Sequence, residues 1–463
     1  MRHLQQVLTK LARPATKLVA AIFLSSAPGC CLAALGQMTD QSTAIHYNSA
    51  TKVFRLDGAD VSYFQGINEL SEVRTLYWGK RLAIGDAFAE AKSSDAISSF
   101  DMSLNTTPHE FVAWGGGLYV EPDLKISFPD GDRDVVLKYT SHKIQDDTLI
   151  ITMKDQSREV YVTLKYRMDK ETGILSRSAL IENRTSKPFT IEQVASGTWN
   201  LPRGTEYRLR YLTGRWAAEW NVQEQPVRPG KVVLESRRGT TGAQNNPWFA
   251  IDDNRSNDQD QGNVWFGALG WSGSWQISVE QDQVQQVRVT GGPNTFDFAY
   301  RLGKGESLET PAFYGGFSDH VIGGASRLLH RYEVGSILPG HPSRLLIQNG
   351  FTYAYSPGVM MAWVTDSPNR VNQRSVSLEY RFLVAMQGSL GIGANLNKWA
   401  PEDFAKANQM VGQYKAIRET AQRGQRYRLI TPENNNPYAV TETVSPDGRQ
   451  VVFFAFLHSS KEL

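Results

Sequence analysis

Cysteine is nearly absent from this chain of 463 residues, and its two copies, Cys30 and Cys31, stand side by side near the N-terminus. A protein processed beyond that point contains none, which excludes a disulfide framework and any thiolate metal site. Charge of one sign is missing too. The formal net charge is +2, with basic and acidic residues mixed along the chain, so no basic arm or stripe exists to neutralise phosphates and nucleic acid is excluded as an expected partner. Beyond the N-terminal segment no apolar run is long enough to cross a bilayer as a helix. The 41% hydrophobic and 21% charged content is that of a globular protein, and the length suits two or three domains.

The N-terminus places Arg2, Lys10, Arg13 and Lys17 before the apolar stretch Leu18 to Leu24 and the small-residue run Cys31 to Ala34, with no acid before Asp40. That order predicts a secretory signal peptide over 1–34 and a secreted protein. A mitochondrial presequence and translation from Met38 remain open alternatives. For an exported chain, the sequons at Asn105, Asn183 and Asn254 are candidate glycosylation sites. The terminal Lys461-Glu462-Leu463 is shorter than a retention signal and reads as a plain stop.

From Ile45 to Leu329 the pattern is strands and turns. Val160, Val162, Leu164, Tyr166 and Met168 alternate with more polar residues at the period of a half-buried strand, and a turn over Asp169 to Gly173 leads into the next. Such segments, punctuated at 129–132, 170–173 and 228–230, predict a large antiparallel sandwich over 38–329. Its tryptophans Trp78, Trp114, Trp199, Trp216, Trp220, Trp248, Trp265, Trp271 and Trp275 are read mainly as core, although an indole face can also stack on a sugar. Further on, Phe404, Ala407, Val411, Tyr414, Ile417 and Ala421 recur at helical spacing between Pro401 and Gly424, predicting an amphipathic helix. After Tyr427 come three short strand patterns.

Candidate chemistry is sparse. Asp252, Asp253, Asp258 and Asp260 with Asn254 and Asn257 lack the spacing of a calcium loop and read as a solvated loop. His330 and His341 stand outside any zinc-binding pattern, and Asp366 before Ser367-Pro368 reads as a polar turn. Gly115 to Gly117, and Gly391 with Gly393, lack the Lys-Ser/Thr or dinucleotide fingerprint and read as turn and strand-end glycines.

The strings LYWGKRL (Leu76 to Leu82), LTGRWAAEW (Leu212 to Trp220), LESRRGTTGAQNNPWFAI (Leu234 to Ile251) and LHRYEVGSILPGHPSR (Leu329 to Arg344) resemble the N-terminal region of family 36 α-galactosidases. LLIQNGFTYAYSPGVMMAWVTDSPN (Leu345 to Asn369) and LEYRFLVAMQGSLGIGANLNKW (Leu378 to Trp399) resemble the closing part of the same family's barrel. The resemblance implies a mainly β chain with some α. It comprises an N-terminal β-supersandwich, a linker helix region over 330–344, the remnant of an incomplete (β/α)8 barrel over 345–424, and a truncated C-terminal β-domain over 425–463.

At the seam between Arg344 and Leu345, the family's KWDMNR-like, ESCSGGG-like and SDNTD-like segments are missing. The first carries the family's nucleophile and the third its acid/base, so no catalytic residue is assigned here, nor any metal or cofactor. An error at this seam, with the missing barrel restored in the natural protein, is one reading of its origin. The family's activity is release of terminal α-linked galactose from galacto-oligosaccharides, and this chain is predicted inactive. The alternative is a non-catalytic β-sandwich that binds saccharide or forms a homo-oligomer through the N-terminal domain, for which the Trp-rich left half supplies the motive. In the family a loop after the YWG-like motif helps build a neighbouring subunit's active site, so the resemblance makes Tyr77-Trp78-Gly79 the nearest remaining candidate. Lys398-Trp399 is placed at the edge of the family's sugar pocket. A remnant barrel of this length is expected to leave the strand at Ser389 to Gly393 without either neighbour, and the right half poorly ordered or prone to aggregate.

Overall fold

The computed structural model describes residues 23–24, 44–83, 88–215, 218–242, 244–253, 262–336, 345–368, 375–431 and 438–457. Its contacts divide the chain into two compact units. One is a β unit over 32–337 with 350–355; the other takes in 338–349 and 356–463 with 1–31.

Alternation of apolar and polar residues builds the first unit as the pattern predicts. Val160–Met168 and Leu175–Asn183 pair antiparallel in unbroken register from Leu175 opposite Met168 to Asn183 opposite Val160, with buried positions recurring every second residue. Their turn closes because Gly173, at φ +69, donates to the carbonyl of Asp169 at 2.9 Å. These strands lie in a ten-stranded sheet whose far end is Ala218–Pro226 paired with Arg208–Arg215. Two four-stranded sheets and a three-stranded sheet complete the unit. One core draws from all four sheets: Phe54 and Trp78, Leu124 and Ile191, Trp199 and Ile277, Leu164 and Phe313. The chain is therefore mainly β, and this unit is a multi-sheet sandwich.

Helix α1 (Val321–Ser336) follows the last sandwich strand and carries Ala325 and Leu329 into a second cluster with Trp248, Phe266 and Leu212. It starts well before the predicted 330–344 linker region and belongs to the sandwich unit. Residues 337–344, Arg344 included, lie outside the described residues. Helix α2 spans Leu345–Ala354, and its second half, from Gly350, is counted with the sandwich unit rather than with the barrel remnant.

In the other unit a parallel pair, Met361–Val364 with Ser389–Ile392, is joined through helix α3 (Leu378–Ala385), which Ser377 caps by accepting from the N–H of Tyr380. Helix α4 runs Pro401–Arg423, with Pro401 in the first turn, the Asp403 carboxylate accepting the Ala400 N–H at 3.0 Å and Gly424 just beyond its end. Three antiparallel strands follow, Gln425–Ile430, Tyr438–Val444 and Val451–Leu457.

Two expectations are corrected here. The strand at Ser389 keeps one parallel neighbour, Met361–Val364, and is half-buried to exposed. Ala362, Val364, Phe382 and Ile417 share one cluster with Val452, Phe454 and Phe456. On α4, Met410 rather than Val411 is fully buried, and Phe404 is exposed, because the buried stripe follows Ala407, Met410, Tyr414, Ile417 and Ala421.

Residues Phe23–Leu24 pair antiparallel with Val451–Val452, while the remainder of 1–34 lies outside the described residues.

Candidate functional site

Tyr77-Trp78-Gly79 ends the strand Val73–Lys80, which turns its Trp78 ring into the core against Trp199 at 5.0 Å. The Trp78 carbonyl accepts the indole N–H of Trp265 at 3.0 Å, which ties the strand's end to the large sheet. Outside that tie lies an open depression of about 600 Å³ within the sandwich unit. Its floor is aromatic: Trp265 meets Tyr207 edge-on at 5.8 Å and Phe317 at 5.4 Å. Its rim is polar. Lys80 pairs with Asp319 at 2.8 Å, Asn263 donates to Asp253 at 3.1 Å, and Arg203 and Glu206 complete the wall. Apolar rings beneath a few convergent polar groups are the makings of a small-molecule site.

Behind the depression the sandwich interior holds a closed polar network. Glu110, fully buried, accepts from the Tyr63 hydroxyl at 2.6 Å, Thr75 at 2.7 Å and Tyr166 at 2.8 Å, and pairs with Arg177 at 3.3 Å. Arg177 donates to the carbonyls of Thr198 and Glu110, each at 2.5 Å, and lies over the Trp199 ring. Burial raises the hydroxyl pKa of Tyr63 and of Tyr166, so both remain hydrogen-bond donors. Gly197, at φ +144, leaves the space the guanidinium needs: a β-carbon there would stand 2.3 Å from Arg177 Nε. Glu110 and Arg177 answer each other inside the core, so the network holds the fold.

Nearby, burial pushes Asp123 up to about 6 against the pull of Arg288, and pushes His109 down to about 4. Both are enclosed, and both titrate within the range where stability is measured.

The barrel remnant offers a second place to look, because parallel α/β sheets carry chemistry at the carboxyl ends of their strands. The stretches 365–368 and 393–399 contain one carboxylate, Asp366. Its Oδ1 accepts the Asn395 N–H at 2.8 Å and so staples the two loops together. The reading as a polar turn stands. Lys398 is exposed, and Trp399 packs edgewise on Phe404 at 5.5 Å.

Other flagged residues fall into structural roles. Asp252 is buried between Arg208 at 3.2 Å and Arg210 at 3.1 Å, while Asn254, Asn257, Asp258 and Asp260 lie outside the described residues. His330 is buried on α1, and His341 lies outside the described residues. Gly116 and Gly117 occupy left-handed turn positions. Trp78, Trp199, Trp248, Trp265 and Trp275 are core, whereas Trp114 and Trp271 are exposed; Trp216 lies outside the described residues.

Two sequons are corrected. Asn105 and Asn183 are buried, and their amides donate to Gly117 O at 3.2 Å and to Lys187 O and Leu302 O at 3.0 and 2.9 Å, so neither is available to a glycosyltransferase in the folded chain. Asn254 lies outside the described residues.

Residues 71–303, half of the chain, match the Glycosyl hydrolase family 36 N-terminal domain, and residues 340–424 match Melibiase. The chain belongs to glycosyl hydrolase family 36. Among its relatives, α-galactosidase AgaA of Geobacillus stearothermophilus is 28% identical over 313 residues, covering 62% of this chain and 43% of that protein. α-Galactosidase Mel36A of Lactobacillus acidophilus is 27% identical over 318 residues, with the same 62% and 43% coverage. The chain thus spans less than half the length of these family 36 relatives. Among solved structures, AgaB of G. stearothermophilus superposes with a TM-score of 0.79 at 19% identity, covering 87% of this chain and 90% of that one. An AgaA variant in complex with raffinose gives 0.78 at 18% identity, over 88% and 92%. At these identities the likeness is one of fold.

Sequence reasoning did not single out Arg203, Glu206, Tyr207 or Phe317 as neighbours of Tyr77, nor Glu110 as the partner of Arg177. The depression's walls come from five separate stretches of chain and have no periodicity or motif to announce them.

Proposed function

We propose that this chain is a non-catalytic derivative of the α-galactosidases that hydrolyse terminal non-reducing α-D-galactose from galacto-oligosaccharides. The observation that carries the reading is the two-stranded parallel sheet, whose strand-end loops hold the single carboxylate Asp366 with its Oδ1 committed to a backbone N–H. A retaining glycosidase needs two carboxyl groups about 5–5.5 Å apart, one to attack the anomeric carbon and one to protonate the leaving oxygen. Incubation of the full chain with a chromogenic α-galactoside tests this: release stays at the buffer rate, and turnover well above it overturns the reading.

A second reading is favoured by the depression beside Tyr77. Its aromatic floor and mixed polar rim suit a saccharide, and relatives are solved with raffinose and stachyose. Titration calorimetry of the chain with raffinose should give heats that Tyr77→Ala and Arg203→Ala together diminish. An absence of heat, with no self-association in sedimentation, removes the binding and oligomer roles alike. The leader pattern of 1–34 adds export as part of the proposal, and the N-terminal sequence of the mature protein checks it.

A further inference from the structure

The strand Val73–Lys80 gives the depression the lining residues Tyr77 to Lys80 and then leaves its sheet. Main-chain carbonyls beyond the ladder still need donors. Arg55, buried on the strand Val53–Asp57 two places away in the same sheet, supplies them. Its Nη2 donates to the Leu82 carbonyl at 2.7 Å and its Nη1 to the Ala83 carbonyl at 2.9 Å, while its Nε donates to Asp57 Oδ2 at 2.7 Å. The other oxygen of Asp57 accepts the Ser62 hydroxyl at 2.5 Å, and the Ser62 oxygen in turn accepts the Leu82 N–H at 3.1 Å. Guanidinium, carboxylate and hydroxyl thus close together on one stretch of main chain. The planar fork of an arginine reaches two successive carbonyls in a fixed geometry, which the single ammonium of a lysine does not. A second route runs through the rings. Arg55 lies over Phe64 at 5.1 Å, Phe64 meets Tyr77 edge-on at 6.2 Å, and the Tyr77 hydroxyl donates to the Lys80 carbonyl at 2.8 Å. Lys80 is the rim cation paired with Asp319, and its side chain is 71% exposed, so its placement comes from the main chain beneath it rather than from its own packing.

We propose that Arg55 is a positioning residue that sets the wall formed by Tyr77 and Lys80, and through it how well the depression receives a saccharide. The ligand part rests on the reading of the depression as a saccharide site; the placement of the wall does not. Arg55 is not among the lining residues, so its effect is carried by the main chain at 82–83 and by the rings of Phe64 and Tyr77. Both routes converge on Lys80 or on the residues that follow it, which makes the Lys80–Asp319 pair the place to read the effect.

The test is Arg55→Lys in the full chain, which keeps a cation beside Asp57 and removes the fork. Raffinose affinity by titration calorimetry should fall about fivefold, while the circular dichroism spectrum stays that of the parent. Asp319 gives a readout that a merely structural role would leave alone. Lys80, with His320 adding to it, holds the Asp319 carboxyl below the usual carboxylate range, so its carbon-13 titration, assigned with Asp319→Asn, should move up in Arg55→Lys. Lys80→Met moves the same titration up directly, and adding Arg55→Lys to it should move it no further. Ser62→Ala, which removes the acceptor of the Leu82 N–H and leaves Arg55 in place, should shift affinity and titration in the same direction by less. An Asp319 titration that Arg55→Lys does not move overturns the proposal, whatever happens to raffinose binding. So does a shift that persists in full on the Lys80→Met background, since it then bypasses Lys80. An absence of heat from the parent chain with raffinose, alongside the expected Asp319 shift, removes the saccharide reading and supports the placement of the wall by Arg55.

Discussion

Two buried arginines show how differently the two units are finished. Arg177, in the sandwich, has Glu110 as counter-ion, two backbone carbonyls, and the rings of Tyr166 and Trp199 on its faces. Arg426, in the C-terminal sheet, is as deeply buried but donates to the amide oxygen of Gln387 at 2.7 Å, a neutral acceptor in place of a counter-ion. Burial, with Arg428 alongside, draws its pKa down to about 9. A buried charge without a counter-ion costs several kcal/mol, whereas a paired and hydrogen-bonded one can be close to neutral. The sandwich arginine is answered by an anion, whereas the arginine of the second unit is answered by a neutral amide.

The comparison breaks most visibly at Glu110. Glu110→Gln strands Arg177 without an anion and should cost about 3–5 kcal/mol, read as a lower urea midpoint for the sandwich. A loss below about 1 kcal/mol would mean the pair is not the closure described.

Acid sharpens the same contrast. His109, pushed down to about 4 from an ordinary 6.5, stays neutral in the fold, so it contributes stability that is present above pH 6.5 and lost as pH falls towards 4, by at most about 3 kcal/mol. Asp123, pushed up to about 6 from 3.8, has the opposite sign: its contribution is present below pH 3.8 and lost as pH rises through 6. The two offset one another between about pH 4 and 6. His109→Gln should therefore flatten the acid limb of stability against pH, and Asp123→Asn should steepen it. Identical limbs in both variants would refute the assignment.

Gly197→Ala places a β-carbon against Arg177 Nε at a φ of +144 and should cost about 1–3 kcal/mol by the same denaturation measurement. The smallest effect is expected at Arg426. Arg426→Met removes a charge that has no counter-ion, so stability should change by less than about 1 kcal/mol or rise. A loss as large as that of Glu110→Gln would show that Arg426 is paired after all.

Much of the scaffold was legible before any coordinates. The strand at Val160–Met168, its partner and their Gly173 turn follow from a two-residue period and a residue that tolerates positive φ. Helix α4 follows from a 3.6-residue period between Pro401 and Gly424. The sequons were misleading because a three-residue motif says nothing of burial. The strand at Ser389 was expected to stand without either neighbour, and its pairing with Met361 was not legible because it links residues far apart in the chain. The depression beside Tyr77 was marked at one wall only.

Local pattern by itself determined the strands, the turns and the last long helix, because period and turn chemistry are properties of neighbouring residues. Tertiary structure alone decided that Glu110 answers Arg177 while no described acid answers Arg426, that Asn105 and Asn183 are sealed inside, and that one parallel strand kept a neighbour. Each of those depends on which distant groups share a space from which water is excluded, and there the balance of desolvation against pairing is settled.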